Sequence, residues 1–153
     1  MFKKILVTTD GSPISTQAAK AGIAFAKSVG AEIVALHVQQ PFFGTSTYQA
    51  LVAAHALNDK DYSKVLEEQA ELYIQPILDD AKAAGVTAKA RFISDPDVAQ
   101  SIVNVAEEEG CDLIFIGSHG RSGLSLLFLG STAARVLPMA KISVLVHRAE
   151  EKA

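Results

Sequence analysis

Short apolar runs alternate in this chain with longer segments of helical periodicity, and this alternation limits the fold more than any other feature of the sequence. Five runs have the length and composition of strands: residues 3–9, 31–38, 86–93, 112–117 and 142–147. Such runs are typical of strands buried on both faces of a parallel sheet. Because a helical segment separates each run from the next, we predict an α/β fold with a single five-stranded parallel sheet and helices on both faces.

The helical segments carry recognisable start and stop signals. Ser12 offers a hydroxyl cap and Pro13 takes the first position of the first helix, which Gly30 ends. A second helix is expected from about residue 59 to 84, with Pro76 kinking it or delimiting its regular part. The side chains expected on its inner face are Val65, Leu66, Leu72, Tyr73 and Ile77.

Two other segments differ in how far the sequence determines them. A last helix is expected from about residue 131 to 139, after a glycine-rich loop. Residues 39–57 contain no Asp, Glu, Lys or Arg and include two phenylalanines. Three interpretations remain for them: a lid over a ligand, a surface for a partner, or a short helix packed on the core.

The bulk composition excludes several classes of protein. A length of 153 residues with 49% hydrophobic content fits one domain over residues 1–153. The formal net charge of −3 provides no basic excess for nucleic acid. No apolar run reaches bilayer length or the length of a signal-peptide core, so no membrane partner is expected. With Cys111 as the single cysteine, we expect a cytoplasmic protein without an intrachain disulfide.

The loop between the fourth strand and the last helix has the pattern that most indicates ligand chemistry. Residues 117–132 read GSHGRSGLSLLFLGST. Glycines let backbone amides approach an anion without an intervening Cβ, and the first amides of the following helix lack internal partners. The helix dipole would favour a phosphate there by roughly 0.3–1 kcal/mol, and hydroxyls of Ser131 and Thr132 would add contacts. The alternative is a Gly/Ser-rich connection that Ser131 caps in the usual way.

A second indication comes from the end of the first strand. Neither a GxxxxGK[ST] loop nor a GxGxxG loop after the first strand is present, and Asp10 follows that strand instead. In parallel sheets a ligand binds beyond the carboxyl ends of the strands, where the strand order reverses. There Asp10 either accepts hydrogen bonds from ribose hydroxyls or helps to cap the first helix.

Taken together, these motifs resemble the universal stress protein family. The glycine pattern G-x2-G-x9-G-[ST] occurs at Gly117, Gly120, Gly130 and Ser131, and it is typical of the ATP-binding branch. The opening KKILVTTDGS, the LHV of the second strand, DLIFIGSHGRSGL and the closing VLVH resemble the family as well. The resemblance covers essentially the whole chain and implies a Rossmann-like, adenine nucleotide alpha hydrolase-like fold.

The resemblance also implies contacts with ATP at particular positions. Asp10 would hold the ribose, and Val38 would offer backbone groups to the edge of the adenine. The other implied contacts are Thr9 and Pro13 near the base or sugar, Gly117, Gly120, Gly130, Ser131 and Thr132 around the phosphates, and His119 and Arg121 within the loop. Mg²⁺ or Mn²⁺ would be held through the phosphates, without a metal site of the protein's own. The family further implies a homodimer joined through the strand from Ile142 to His147.

From these features we expect an ATP-binding regulatory or stress-response protein whose partners read the nucleotide-bound state. A slow ATPase or phosphotransferase is the first alternative. Phosphoryl transfer needs a group that orients the nucleophile, and the sequence offers no clear one, so no catalytic residue is assigned. The second alternative is a protein-interaction module that binds no nucleotide. The four histidines show no metal-ligand spacing.

Overall fold

The computed structural model describes residues 1–41, 59–119 and 129–148. In chain order the elements are β1 (Lys4–Thr8), α1 (Pro13–Val29), β2 (Glu32–Gln39), α2 (Asp59–Ala84), β3 (Ala88–Ser94), α3 (Val98–Glu108), β4 (Leu113–Gly117), α4 (Ser131–Met139) and β5 (Ser143–His147). The bounds of the strands agree with prediction to within two residues. The segment 39–57, for which a lid, a surface or a helix was expected, lies beyond residue 41 outside the described part.

The strands form one five-stranded parallel sheet in the order β3-β2-β1-β4-β5. Ile5 in β1 pairs with Ile33 on one side and with Leu113 on the other. This arrangement confirms the predicted parallel sheet. The order reverses between β1 and β4, so a crevice opens at the carboxyl ends of these two strands.

Helices cover both faces of the sheet, as predicted. Successive side chains of a strand point to opposite faces. Ile5 and Val7 of β1 pack in one cluster with residues of α1 and α2, whereas Leu6 packs in a second cluster with residues of α3 and α4. All three side chains are fully buried. The two clusters therefore pack against both faces of the sheet below the crevice.

The predicted ends of α1 are confirmed. Ser12 is the N-cap, and its hydroxyl accepts a hydrogen bond from the Ser15 amide at 3.1 Å. Pro13 occupies the first turn, where a missing N–H costs nothing. Gly30 ends the helix in the left-handed conformation, with φ of +71°.

The helix α2 has the predicted bounds, and its predicted inner face is confirmed in part. Pro76 lies inside the helix and does not end it. Leu66 and Ile77 are buried as expected and Tyr73 is half-buried, whereas Val65 and Leu72 are exposed. No helix in residues 1–41, 59–119 and 129–148 is both long and apolar enough to cross a bilayer.

Candidate functional site

A cavity of about 520 Å³ opens where the strand order reverses. This volume lies within the range of ordinary small-molecule pockets, roughly 300–1,000 Å³. Eight residues expected at the site line it: Thr9, Asp10, Val38, Gly117, His119, Gly130, Ser131 and Thr132. Pro13 lies nearby but is exposed on α1 and does not line the cavity. Gly120 and Arg121 lie outside the described residues.

The end of β1 forms a turn that places Asp10 on the cavity wall. The Asp10 carboxylate oxygen Oδ1 accepts a hydrogen bond from the Ser12 amide at 2.9 Å. The N-cap of α1 is nevertheless Ser12, so Asp10 supports the turn in front of the helix and does not cap it. A carboxylate has about four acceptor positions, so the bond to the Ser12 amide does not by itself exclude a bond to a ligand hydroxyl.

Gly11 fixes this turn against α2, a constraint that the sequence analysis missed. Its φ of +78° is a conformation that residues with a side chain rarely adopt. A Cβ at this position would also overlap the ring of Tyr73. The turn that presents Asp10 is therefore defined jointly by backbone conformation and by packing on α2.

His37 braces the same turn from β2. The imidazole is only 3% exposed, and its Nδ1 lies 2.8 Å from the Thr9 carbonyl oxygen. Because that oxygen can only accept, Nδ1 carries the proton and donates. The ring also meets the Tyr73 ring edge-on, with the two ring centroids 5.1 Å apart. These contacts hold the imidazole in one orientation on the cavity lining.

The start of α4 forms the opposite wall. Gly130 is the N-cap, and no side chain caps the helix. The alternative in which Ser131 serves as the cap is therefore wrong: Ser131 is the first helical residue. The first described helical bond runs from the Ala134 amide to the Gly130 carbonyl at 2.9 Å. The amides before it have the arrangement that binds anions at helix starts.

Gly130 has a packing role in addition to the expected one. Its amide donates to the Ser118 carbonyl at 2.7 Å, and a Cβ would lie 2.8 Å from that oxygen. Glycine thus lets the end of β4 lie directly against the start of α4. A Cβ on Gly117 would meet only ordinary contacts, the nearest being Ala18 Cβ at 3.4 Å.

Arg135 is a cavity residue that the sequence analysis did not identify. It follows Ser131 by one helical turn and lines the cavity. Its Nη2 atom lies 3.0 Å from Asp97 Oδ2. The hydrogen bond to Arg135, followed by the backbone hydrogen bond from Gln100, lowers the pKa of the Asp97 carboxyl. The i, i+4 spacing from Ser131 is the signal that would have placed Arg135 here.

The described part of the cavity wall carries one carboxylate and one guanidinium. Of the described residues that line it, Asp10 is the one carboxylate and Arg135 the one guanidinium. Within the described ranges, no three residues of the types His, Cys, Asp and Glu form a group that could hold a metal. The expectation of a metal held through phosphates remains a prediction.

Cys111 lies apart from the cavity, before β4. Its side chain is 5% exposed, and burial raises the pKa of the thiol to about 11. A thiol that stays protonated at neutral pH is a poor nucleophile. Cys111 is therefore a packed core residue.

Comparisons with known proteins agree with the observed fold. A sequence profile of the Universal stress protein family matches residues 1–148. Universal stress protein MJ0531 of Methanocaldococcus jannaschii is 32% identical over 154 residues, which cover 99% of this chain and 85% of that protein. The solved structure of MJ0577 superposes with a TM-score of 0.80 at 28% identity, over 99% of both chains. A universal stress protein solved in complex with cAMP superposes with a TM-score of 0.63 at 25% identity, over 95% of both chains.

Proposed function

This chain belongs to the universal stress protein family, and we propose that it is a regulatory protein that binds ATP in the cavity between β1 and β4. The observation that carries the proposal is the start of α4, which no side chain caps and whose first residues line this cavity. The relative solved with cAMP supports the same ligand class, since cAMP is an adenine nucleotide.

The described residues offer a suitable partner for each part of the nucleotide. Asp10 would accept hydrogen bonds from the ribose hydroxyls while it keeps the Ser12 amide. Val38, half-buried at the end of β2, would present its backbone to the adenine edge. The lining also includes apolar side chains, which suit a ligand with an apolar face: Val98, Ile102 and Ile116.

The phosphates would lie at the start of α4. The amides that follow Gly130 and the hydroxyls of Ser131 and Thr132 would donate to phosphate oxygens. Gly120 and Arg121 are proposed to complete this part of the site, and Mg²⁺ or Mn²⁺ would bind through the phosphates. A bound nucleotide would contact both α4 and the end of β1. A partner would then recognise this nucleotide-bound form of the protein.

A homodimer through β5 is the second part of the proposal. β5 is an edge strand, paired on one side with β4. Its Val144, Leu145 and Val146 side chains are half-buried. An edge strand has unpaired backbone N–H and C=O groups, and apolar side chains on it favour association with another chain. The β5 strand of a second copy could pair with this edge.

The test of the proposed function is selective stabilisation by ATP. We expect ATP to raise the melting temperature and GTP not to raise it. The backbone groups of Val38 would form hydrogen bonds that suit the edge of adenine and not that of guanine. At one hundred times its Kd, ATP would add about 2.7 kcal/mol to the free energy of unfolding. Mass spectrometry of the small molecules released on denaturation would identify a retained nucleotide.

Asp10→Asn tests the ribose contact. The amide oxygen can still accept from the Ser12 amide, but the charge is lost, so we expect ATP affinity to fall about tenfold. The matched control is Asp95→Asn, because Asp95 Oδ1 supports a similar turn by accepting from the Asp97 amide at 2.7 Å, outside the cavity. Equal effects of the two variants would contradict the placement of the ribose. If no nucleotide changes the melting temperature, the protein-interaction module is favoured. If the protein releases phosphate from ATP and Asp10→Ala abolishes that release, the slow ATPase is favoured.

A further inference from the structure

Arg135 lines the cavity one helical turn after Ser131, but it is paired with Asp97, which does not line the cavity. Resting on the function proposed above, we propose that Arg135 exchanges Asp97 for the terminal phosphates of the nucleotide, and that this exchange makes the site favour triphosphates over monophosphates. Asp97 would act as the competing partner that holds Arg135 in the nucleotide-free protein.

Position on the helix provides the first argument. Arg135 lies four residues after Ser131, so the two side chains leave α4 on the same side, about 6 Å apart along the axis. Both residues line the cavity. A phosphate chain that begins at the start of α4 and extends along this side would reach the guanidinium.

The exposure of the ion pair provides the second argument. The side chain of Arg135 is 55% exposed and that of Asp97 is 45% exposed. Exposed pairs of this kind contribute little to stability, because water and salt compete with them. A guanidinium presents paired N–H groups that match two phosphate oxygens, and such hydrogen bonds are stronger than those between neutral groups. The exchange is therefore favourable once a triphosphate is bound.

The second contact of Asp97 provides the third argument. Asp97 is the N-cap of α3, and its Oδ1 accepts from the Gln100 amide at 3.1 Å. Arg135 binds the other oxygen, Oδ2. Loss of Arg135 from this pair thus leaves the cap of α3 intact, and the exchange does not require α3 to unfold.

The test compares Arg135→Gln with Asp97→Asn in the full chain. The probes are ATP, ADP and AMP, with Kd measured by calorimetry at fixed salt. We expect Arg135→Gln to raise the Kd for ATP about tenfold and the Kd for AMP less than about twofold. The reason is that only the longer phosphate chain would reach the guanidinium. We expect Asp97→Asn to lower the Kd for ATP about two- to threefold. Asparagine can still cap α3, but without a charge it no longer competes for Arg135.

Lys141→Gln is the matched control. Lys141 forms an exposed ion pair with Glu107 at 3.2 Å and does not line the cavity. Its loss removes the same charge from the surface and should leave the ratio of ATP to AMP affinity unchanged. Melting temperatures of all variants would show that each is folded.

The opposite signs of the two effects separate exchange from a purely structural ion pair. If the ion pair only holds α3 and α4 together, both variants should weaken ATP binding to a similar extent. That result would show that the proposed exchange is wrong. An unchanged ratio of ATP affinity to AMP affinity in Arg135→Gln would also overturn the proposed exchange. Binding of ATP by the wild type would still support the proposed function in that case. Wild-type protein that binds none of the three nucleotides would overturn the proposed function together with this inference.

Discussion

Among single residues, Gly11 meets two requirements that a larger residue cannot meet together. Its φ is +78°, and the space that a Cβ would fill is occupied by the Tyr73 ring. Gly30 meets only the first requirement, because its φ is +71° and no atom lies within 4 Å of a Cβ. The two glycines thus separate the cost of backbone conformation from the cost of packing.

Gly11→Ala should therefore be more damaging than Gly30→Ala. We expect Gly30→Ala to lower the free energy of unfolding by about 1 kcal/mol, the cost of a left-handed alanine. For Gly11→Ala we expect a loss of about 2–4 kcal/mol, because the Tyr73 ring must also move. Urea denaturation measures both values. Equal losses would show that Tyr73 gives way freely.

At the scale of elements, the junction of β4 and α4 forms one wall of the cavity. The Gly130 amide binds the Ser118 carbonyl, and the Ser118 amide binds the His147 carbonyl at 2.8 Å. A Cβ on Gly130 would lie 2.8 Å from the Ser118 oxygen, which is backbone and cannot rotate away. The start of α4 is therefore held in place by the end of β4.

We expect Gly130→Ala to displace this junction. The free energy of unfolding should fall by about 1–3 kcal/mol, and ATP affinity should fall with it because the amides move relative to Asp10. Gly30→Ala is the control, since Gly30 does not line the cavity and no atom lies within 4 Å of a Cβ there. Calorimetry with ATP and urea denaturation provide the two measurements. If Gly30→Ala weakens ATP binding as much as Gly130→Ala does, the close approach to Ser118 is not the cause.

Local signals in the sequence determine the elements better than they determine the site. The start of α1 at Ser12 and Pro13 and its end at Gly30 depend on neighbouring residues only, and they were predicted. The contact of Gly11 with Tyr73 joins residues that are distant in sequence, and no local pattern indicates it. For the same reason the pairing of Arg135 with a carboxylate on another helix was not found.

The inner face of α2 illustrates the same limit. Apolar spacing placed Val65 and Leu72 on the buried side, yet Leu72 is 74% exposed. The helix buries Leu66 and Ile77 as predicted, together with Ile74, which was not predicted. Several apolar stripes fit the spacing in α2, and only the position of the sheet and of α1 selects one of them.

At the scale of the whole molecule, the two edges of the sheet differ in character. On the outer strand β3, Lys89 and Arg91 both pair with Glu109, and charged edges of this kind discourage pairing with another chain. The β5 edge carries Val144 and Val146 instead. This difference supports β5 as the surface at which two copies would meet.

We expect Val144→Asp to shift the protein from dimer to monomer, because a buried carboxylate without a partner opposes association. Light scattering over a range of concentrations measures the mass. Val144 also packs on the core below the sheet, so Val144→Thr, which keeps the shape, and Ala90→Asp on the β3 edge serve as controls. A monomeric wild type, or a dimer that survives Val144→Asp, would contradict an interface at β5.

The pairing of β1 with β4 has a consequence for how the protein is made. Lys4 and Asp112, which are hydrogen-bonded at this pairing, stand 108 positions apart in the sequence. A ribosome that adds about 5–20 residues per second delivers β4 roughly 5–20 s after β1. Throughout that interval the central strand lacks its second neighbour, and α4, which forms the far wall of the cavity, emerges later still. A ligand of this cavity therefore acts on finished chains and cannot assist the early stages of folding.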